Sequence, residues 1–244
     1  MDKFKALANN RELGSSALLA EFINLIQHSE KAQIHAGILS LQNAFPVMAV
    51  WHFTEAFFEK HGVTKESITE ITHLVRHGKR EVIRRALEPM RRYKHFLTFS
   101  RSSIVESTLI KLNEQVDRVI CAESLPAREG VALTERLRGA RISVHCVPDI
   151  ELVNHVRDVD VLLLGADWLR QNEFVNKFGT KMLVEQACTS GIPVYVLAER
   201  FKMVDHTLPE EEAFYQTWIQ GGKETQIPIF EVVPKRDVVQ YLTD

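Results

Sequence analysis

From His95 onward, short apolar runs rich in β-branched residues alternate with helix-length segments. This alternation constrains the fold more than any other feature of the chain. His95 to Phe99, Arg118 to Cys121, Ile142 to Val147, Val159 to Leu164 and Pro193 to Leu197 read as strands. Ser103 to Asn113, Val131 to Arg138, Ile150 to Arg157 and Gly179 to Ser190 read as helices between them. Uninterrupted apolar strands suit a parallel sheet covered on both faces. The βαβαβ order then implies a doubly wound arrangement. Ile227 to Val233 adds a late strand and Lys235 to Leu242 a terminal helix.

Before this region no strand pattern occurs. Between Glu12 and Tyr93 apolar residues recur at helical spacing, as in Leu18, Leu19, Phe22, Ile23 and Ile26, or Val47, Val50, Trp51, Phe57 and Phe58. Gly62 followed by Thr64-Lys65-Glu66 marks one helix stopping and another being capped. The expected fold class is therefore α/β: a Rossmann-like, mostly parallel sheet over residues 95–244, with an N-terminal helical subdomain of about four helices over residues 1–94.

With 244 residues, 45% of them hydrophobic and 25% charged, the chain can bury an ordinary core. A net charge of −2 argues against a globally basic nucleic-acid binder. No run approaches the roughly 18 apolar residues of a membrane span, and the first residues lack the apolar core of a signal peptide. The three cysteines, Cys121, Cys146 and Cys188, have neither zinc-ligand nor disulfide-framework spacing. A cytoplasmic setting is expected, with no membrane partner, no cofactor and no metal.

In an open parallel sheet ligands bind beyond the carboxyl ends of the strands. The segment after the fourth strand gathers Asp167, Asn172, Asn176, Lys177 and Thr180 within an otherwise apolar region. A carboxylate, an amide, an ammonium and a hydroxyl beside a helix start near Gly179 suit a phosphorylated, hydroxyl-rich ligand. Lys177 and the helix end would hold phosphate, and Asp167 would accept or move a hydroxyl proton. Turn hydrogen bonds by Asp167 and Asn172 with a solvated Lys177 account for the same spacing equally well.

The strings Val161-Leu-Leu-Leu-Gly-Ala-Asp167, Asn176-Lys-Phe-Gly-Thr180, Gly191-Ile-Pro-Val194 and Ala198-Glu-Arg-Phe-Lys202 closely resemble the core of one family. It unites the α, β and δ regulatory subunits of eukaryotic initiation factor 2B with ribose-1,5-bisphosphate isomerase and methylthioribose-1-phosphate isomerase. Leu97-Thr-Phe-Ser100-Arg101-Ser102 looks like its first-strand loop and Glu123-Ser124 with Pro126 and Gly130 its second; Asp149 matches an acidic position after the third strand. Asn10-Arg11 with Gly14-Ser15-Ser16 resembles its N-terminal phosphate-contacting segment, and Phe45-Pro46 with Met48-Ala49 a helical-domain motif.

The resemblance implies a sugar-phosphate or nucleotide ligand. It carries a catalytic aspartate onto Asp167 and ligand or phosphate contacts onto Arg11, Gly14, Ser15, Ser100, Arg101, Ser102, Asn176, Lys177 and Lys202. In the isomerases the aspartate works with a cysteine, whose place here is taken by Ser100. An unassisted serine hydroxyl is too weak an acid to replace a thiol at neutral pH. The expectation is binding without the usual isomerase catalysis, with aldose–ketose isomerisation of a phosphorylated pentose as the alternative. The resemblance also implies a homodimer through the Rossmann-like domain.

Other features carry less. Cys121 and Cys146 read as small buried hydrophobes, and His145 and His155 lack a second ligand at i+3 or i+4. Arg76 to Lys94 holds eight basic residues with Glu81 and Glu88 interspersed, which reads as a solvated helix face rather than an RNA contact. The stretch from Asp205 to Gln226 departs from the family pattern.

Overall fold

The computed structural model describes residues 3–10 and 13–244. The N-terminal part is helical: α1 (Lys3–Ala8), α2 (Ser15–Ile26), α3 (Lys31–Ala44), α4 (Ala49–His61) and α5 (Lys65–Met90). Leu18, Leu19, Phe22 and Ile26 of α2 pack with Trp51 and Phe58 of α4, all nearly solvent-free. Each such side chain stabilises by about 1.5–3 kcal/mol relative to exposure. Thr64 caps α5 in a reciprocal box with Ser67, as the sequence predicts.

The 26-residue α5 joins two cores. Ile68, Ile71 and Val75 pack among the other helices, whereas Val82, Ile83, Ala86 and Met90 lie against the sheet. Its basic face is broken up: Glu81 takes both Arg84 and Arg85, and Arg92 turns to the hydroxyls of Tyr93 and Tyr195.

The chain then runs through β1 (His95–Thr98), α6 (Ser103–Lys111), β2 (Arg118–Ala122), α7 (Glu129–Gly139), β3 (Val144–Val147), a 3-10 helix (Asp149–Asp158) and β4 (Val161–Gly165). After it come β5 (Trp168–Leu169), β6 (Glu173–Lys177), α8 (Thr180–Ser190), β7 (Val194–Leu197), β8 (Tyr215–Gln220), β9 (Lys223–Pro228), β10 (Phe230–Pro234) and β11 (Val239–Leu242). Six strands form one parallel sheet in the order β11-β7-β4-β1-β2-β3. Both faces are covered, which is why these strands are apolar throughout: Val161 and Leu163 face α6 and α7, and Leu162 and Leu164 face α8.

Three segments differ from the sequence reading. Residues 235–242 form no helix; β11 pairs in parallel with β7. Val239 and Tyr241 pack into one core and Leu242 into the other, a period of two that four apolar residues in a short segment cannot distinguish from a helical one. The late strand is divided at Ile229: β9 closes a hairpin with β8, while β10 pairs with β6. The 3-10 helix Asp149–Asp158 stands where an α-helix over Ile150 to Arg157 is predicted.

Strand order reverses between β1 and β4: the chain winds outward through β2 and β3, then returns to β4 and continues through β7 to β11. The loops leaving β1 and β4 therefore diverge side by side and open a crevice at the carboxyl edge.

Candidate functional site

A solvent-open cavity of about 120 Å³ occupies that crevice. Its walls come from the loop after β1, the loop after β4, the end of β6, the start of α7 and the first turn of α2. Close approach dictates two glycines. A Cβ on Gly165 would lie 2.6 Å from Ser102 Cβ, and one on Gly130 would lie 1.9 Å from the Ala122 carbonyl oxygen.

Asp167 stands two residues beyond the end of β4. Its N–H donates to the Val175 carbonyl (2.9 Å) and its own carbonyl accepts from Ala49 N–H at the start of α4 (3.0 Å), so sheet and N-terminal helices meet on this residue. Its surface is partly open to the cavity although it lies deep in the protein. Burial pushes its carboxyl above the usual carboxylate range; the Lys202 ammonium and the hydroxyl and amide of Ser15 pull the other way, and Glu199 adds to the rise.

Lys202 is itself buried. Its ammonium donates to the Ala166 carbonyl (2.8 Å) and pairs with Glu199 Oε2 (3.3 Å), which also accepts from Ser16 Oγ (3.1 Å). Lys177 reaches across the cavity to Glu129 Oε1 (2.6 Å) and to the Ser124 carbonyl (3.4 Å). Ser100, held at φ 62°, donates from its hydroxyl to the same Glu129 oxygen (3.0 Å) while its N–H donates to Ser124 Oγ (3.0 Å). Asp149 orders that second loop by accepting from the N–H groups of Ser124 and Leu125, both at 2.6 Å.

Arg101 lines the cavity, but its guanidinium pairs with Glu106 (3.1 Å), which also holds Arg136 (3.1 Å). Ser102 caps α6 by accepting from Val105 N–H. Asn176 donates to Thr180 Oγ1 (3.1 Å), whose hydroxyl donates to the Lys177 carbonyl (2.6 Å). Gly14 and Ser15 begin α2 at the cavity wall, with no side chain capping that helix from Gly14. Arg11 lies outside the described residues.

The structure thus gathers Gly14, Ser15, Ser100, Arg101, Ser102, Asp167, Asn176, Lys177 and Lys202 around one cavity. The helix end at Gly179 differs from the sequence expectation. Glu231 of β10 accepts from the N–H groups of Gly179 (2.7 Å) and Lys181 (2.8 Å), so a protein carboxylate fills the place assigned to phosphate.

Sequence reasoning missed the acids: Glu129, Glu199 and Glu106 each fix one cation of the wall. Glu129 beside Gly130 and Glu199 within Ala198 to Lys202 lay in recognised strings, but spacing does not announce which cation a carboxylate takes: Lys177 lies 48 positions from Glu129, whereas Lys202 and Arg101 lie three and five from Glu199 and Glu106. It also missed Gln216 and Trp218, which approach the cavity from the β8–β9 hairpin.

Cys121 is buried beside Thr134 Oγ1 (3.1 Å), and burial pushes its thiol up to about 12. His155 pairs with Asp158 and Glu151, and among the described residues no group of three or more potential metal ligands forms. No described helix is long and apolar enough to cross a membrane.

A parallel sheet with a crevice at its switch point, walled by two carboxylates, two lysines and two helix starts, defines a Rossmann-like α/β fold. The model of the Initiation factor 2 subunit family matches residues 9–239, and the chain belongs to that family. It is 25% identical over 234 residues to the putative translation initiation factor eIF-2B subunit 2-like protein of Pyrococcus furiosus, covering 91% of this chain and 85% of that one. It is 28% identical over 161 residues to the ribose 1,5-bisphosphate isomerase of Archaeoglobus fulgidus, covering 61% of this chain and 51% of the isomerase. The crystal structure of translation initiation factor eIF-2B from Pyrococcus horikoshii OT3 superposes with a TM-score of 0.83 at 23% identity, over 98% of this chain and 93% of that one.

Proposed function

We propose that this chain binds a phosphorylated sugar or a nucleotide in the cavity beside Asp167 and acts as a binding or regulatory member of its family, without the usual isomerase chemistry. One observation carries this reading: the polar side chains of the sheet's carboxyl edge converge with the start of α2 on a single crevice. Helix starts favour anions through their free N–H groups and dipole, and the carboxylates accept sugar hydroxyls. Ser100, standing where the isomerases of the resemblance carry a thiol, supports binding over turnover.

Thermal-shift titration with pentose phosphates and nucleoside monophosphates tests it. At least one raises the melting temperature in a concentration-dependent way; failure of every member of both classes overturns the proposal.

The second reading, aldose–ketose isomerisation, is favoured by one observation: burial raises the Asp167 carboxyl toward the range useful for proton transfer. It requires turnover of ribose 1,5-bisphosphate or methylthioribose-1-phosphate that Asp167→Asn abolishes. Wild-type inactivity on both sinks it. A homodimer is part of the proposal, and sedimentation at micromolar concentration checks it.

A further inference from the structure

Cys121 and Cys146 stand directly opposite each other on the neighbouring parallel strands β2 and β3. Alternation along each strand puts both on one face: Cys121 lies in the core under α6 and α7, and Cys146 packs against that core. Their side chains interact directly. Adjacent strands run about 4.8 Å apart and a disulfide joins Cα atoms about 4.4–6.8 Å apart, so the pair stands within bridging range. β3 is the last strand of the sheet and pairs on one side only, which leaves it room to adjust to a bond.

The two thiols differ. Cys121 is 1% exposed, and burial pushes its thiol up to about 12. Thr134 donates its hydroxyl to the Gly130 carbonyl (2.9 Å), so the Cys121 thiol donates to Thr134 Oγ1 (3.1 Å). Cys146 is only partly buried. The Arg138 guanidinium is held over the same strand by the Val144 carbonyl (3.1 Å), and its charge reaches the pair. A partly open thiol near a fixed cation meets oxidants, whereas a buried one does not.

We propose that Cys146 and Cys121 form a peroxide-sensitive dithiol, a modification site outside the cavity, in which Cys146 is oxidised first and Cys121 closes a disulfide onto it. The Cys146 thiolate attacks one oxygen of hydrogen peroxide and the O–O bond breaks. The leaving hydroxide takes up the thiol proton, giving sulfenic acid and water. The Cys121 sulfur then attacks the Cys146 sulfur and displaces hydroxide, which leaves as a second water with the Cys121 proton. Two thiols are oxidised by two electrons and one peroxide is reduced to two waters. Direct contact offsets the low thiolate fraction of Cys121, and a thiol of high pKa is the stronger nucleophile once deprotonated. The bond withdraws Cys121 from Thr134, in the first turns of the helix that carries Glu129 of the cavity wall.

Peptide mapping of the folded full chain tests this, independently of what the cavity binds. Cys188→Ser removes the exposed third thiol. After hydrogen peroxide, alkylation in denaturant and trypsin without reductant, peptides 119–128 and 142–157 are recovered as one linked species, which dithiothreitol separates. The oxidised protein runs as a single chain in denaturing gels without reductant. In Cys121→Ser/Cys188→Ser the oxidation stops at the Cys146 sulfenic acid, and dimedone labels it about tenfold or more than in Cys188→Ser, where the neighbouring thiol reacts first. Absence of the linked peptide, with Cys146 either still reduced or carried on to sulfinic acid beside a free Cys121, overturns the proposal. A link between chains, or equal dimedone labelling in the two variants, does the same. If the double variant does not fold, the peptide map of Cys188→Ser decides alone.

Discussion

Lys202→Met exposes what the buried ion pair under Asp167 contributes. The substitution keeps the length and apolar stem of the side chain and removes only the ammonium. In the wild type that ammonium and Glu199 are 5% and 0% exposed, so solvent does not screen the pair. Deleting one partner strands the Glu199 carboxylate, with Ser16 Oγ its one remaining donor at 3.1 Å, and removes the donor to the Ala166 carbonyl. Breaking a buried pair in this way costs about 3–5 kcal/mol. For a chain of this size each kcal/mol lowers the melting temperature by about 2–4 °C, which gives a fall of about 6–20 °C. Differential scanning calorimetry at neutral pH and moderate salt reads it. Glu199→Gln/Lys202→Met removes both charges and keeps an acceptor for Ser16, so it recovers at least half of the loss. A melting temperature for Lys202→Met within about 2 °C of wild type, or a double variant no better than the single one, refutes the claim that the pair acts as a buried unit.

Asp167→Asn raises the melting temperature at neutral pH, because burial holds the folded-state carboxyl pKa above its ordinary value of 3.8 and burial of the charge is a net cost. That cost is absent below the unfolded pKa and develops as pH rises through the folded one, so the gap between variant and wild type closes as pH falls toward 3.8; a gap that persists there contradicts it. Gly130→Ala drives a Cβ to 1.9 Å from a backbone oxygen and destabilises by about 3 kcal/mol or more, whereas Gly139→Ala meets nothing within 4 Å and stabilises by about 0.4–1 kcal/mol, both read by urea denaturation. Glu231→Ala uncaps α8 and costs about 1–2 kcal/mol in the same assay. Trp51 and Trp168 are fully buried whereas Trp218 borders the cavity, so a bound ligand changes the fluorescence of wild type but not of Trp218→Phe.

The parts of the fold legible in the sequence were those whose environment is uniform along the chain. Val161 to Leu164 are buried on both faces and so read as an unbroken apolar run. The β8–β9 hairpin is the opposite case. Thr217 and Lys223 to Gln226 are exposed and polar, and the two strands pair only with each other, so no apolar alternation marks them. Within the site, Asp167 and Lys177 stood out as polar residues among apolar ones. What the sequence could not disclose was the state of the cations: Lys177, Lys202 and Arg101 looked like free phosphate ligands, yet each meets a carboxylate, Lys177 by tertiary contact and the other two within five positions along the chain.

Those pairs bear on how the cavity persists. Lys177 to Glu129 and Lys202 to Glu199 anchor opposite walls with side chains at or below 10% exposure, so the crevice is held open by charges that cannot leave it cheaply. The third wall is different in kind. The first turn of α2 meets the sheet through Ser16 to Glu199 and Ser15 beside Asp167, and α4 meets it through Ala49 N–H to the Asp167 carbonyl. A ligand that touches both Ser15 and Asp167 therefore reinforces the contact between the N-terminal helices and the sheet. Its binding free energy adds to the stability of that contact by mass action, as RT ln(1 + [L]/Kd). Occupancy of one small cavity is in this way coupled to how firmly the helical part of the chain is held against the α/β part.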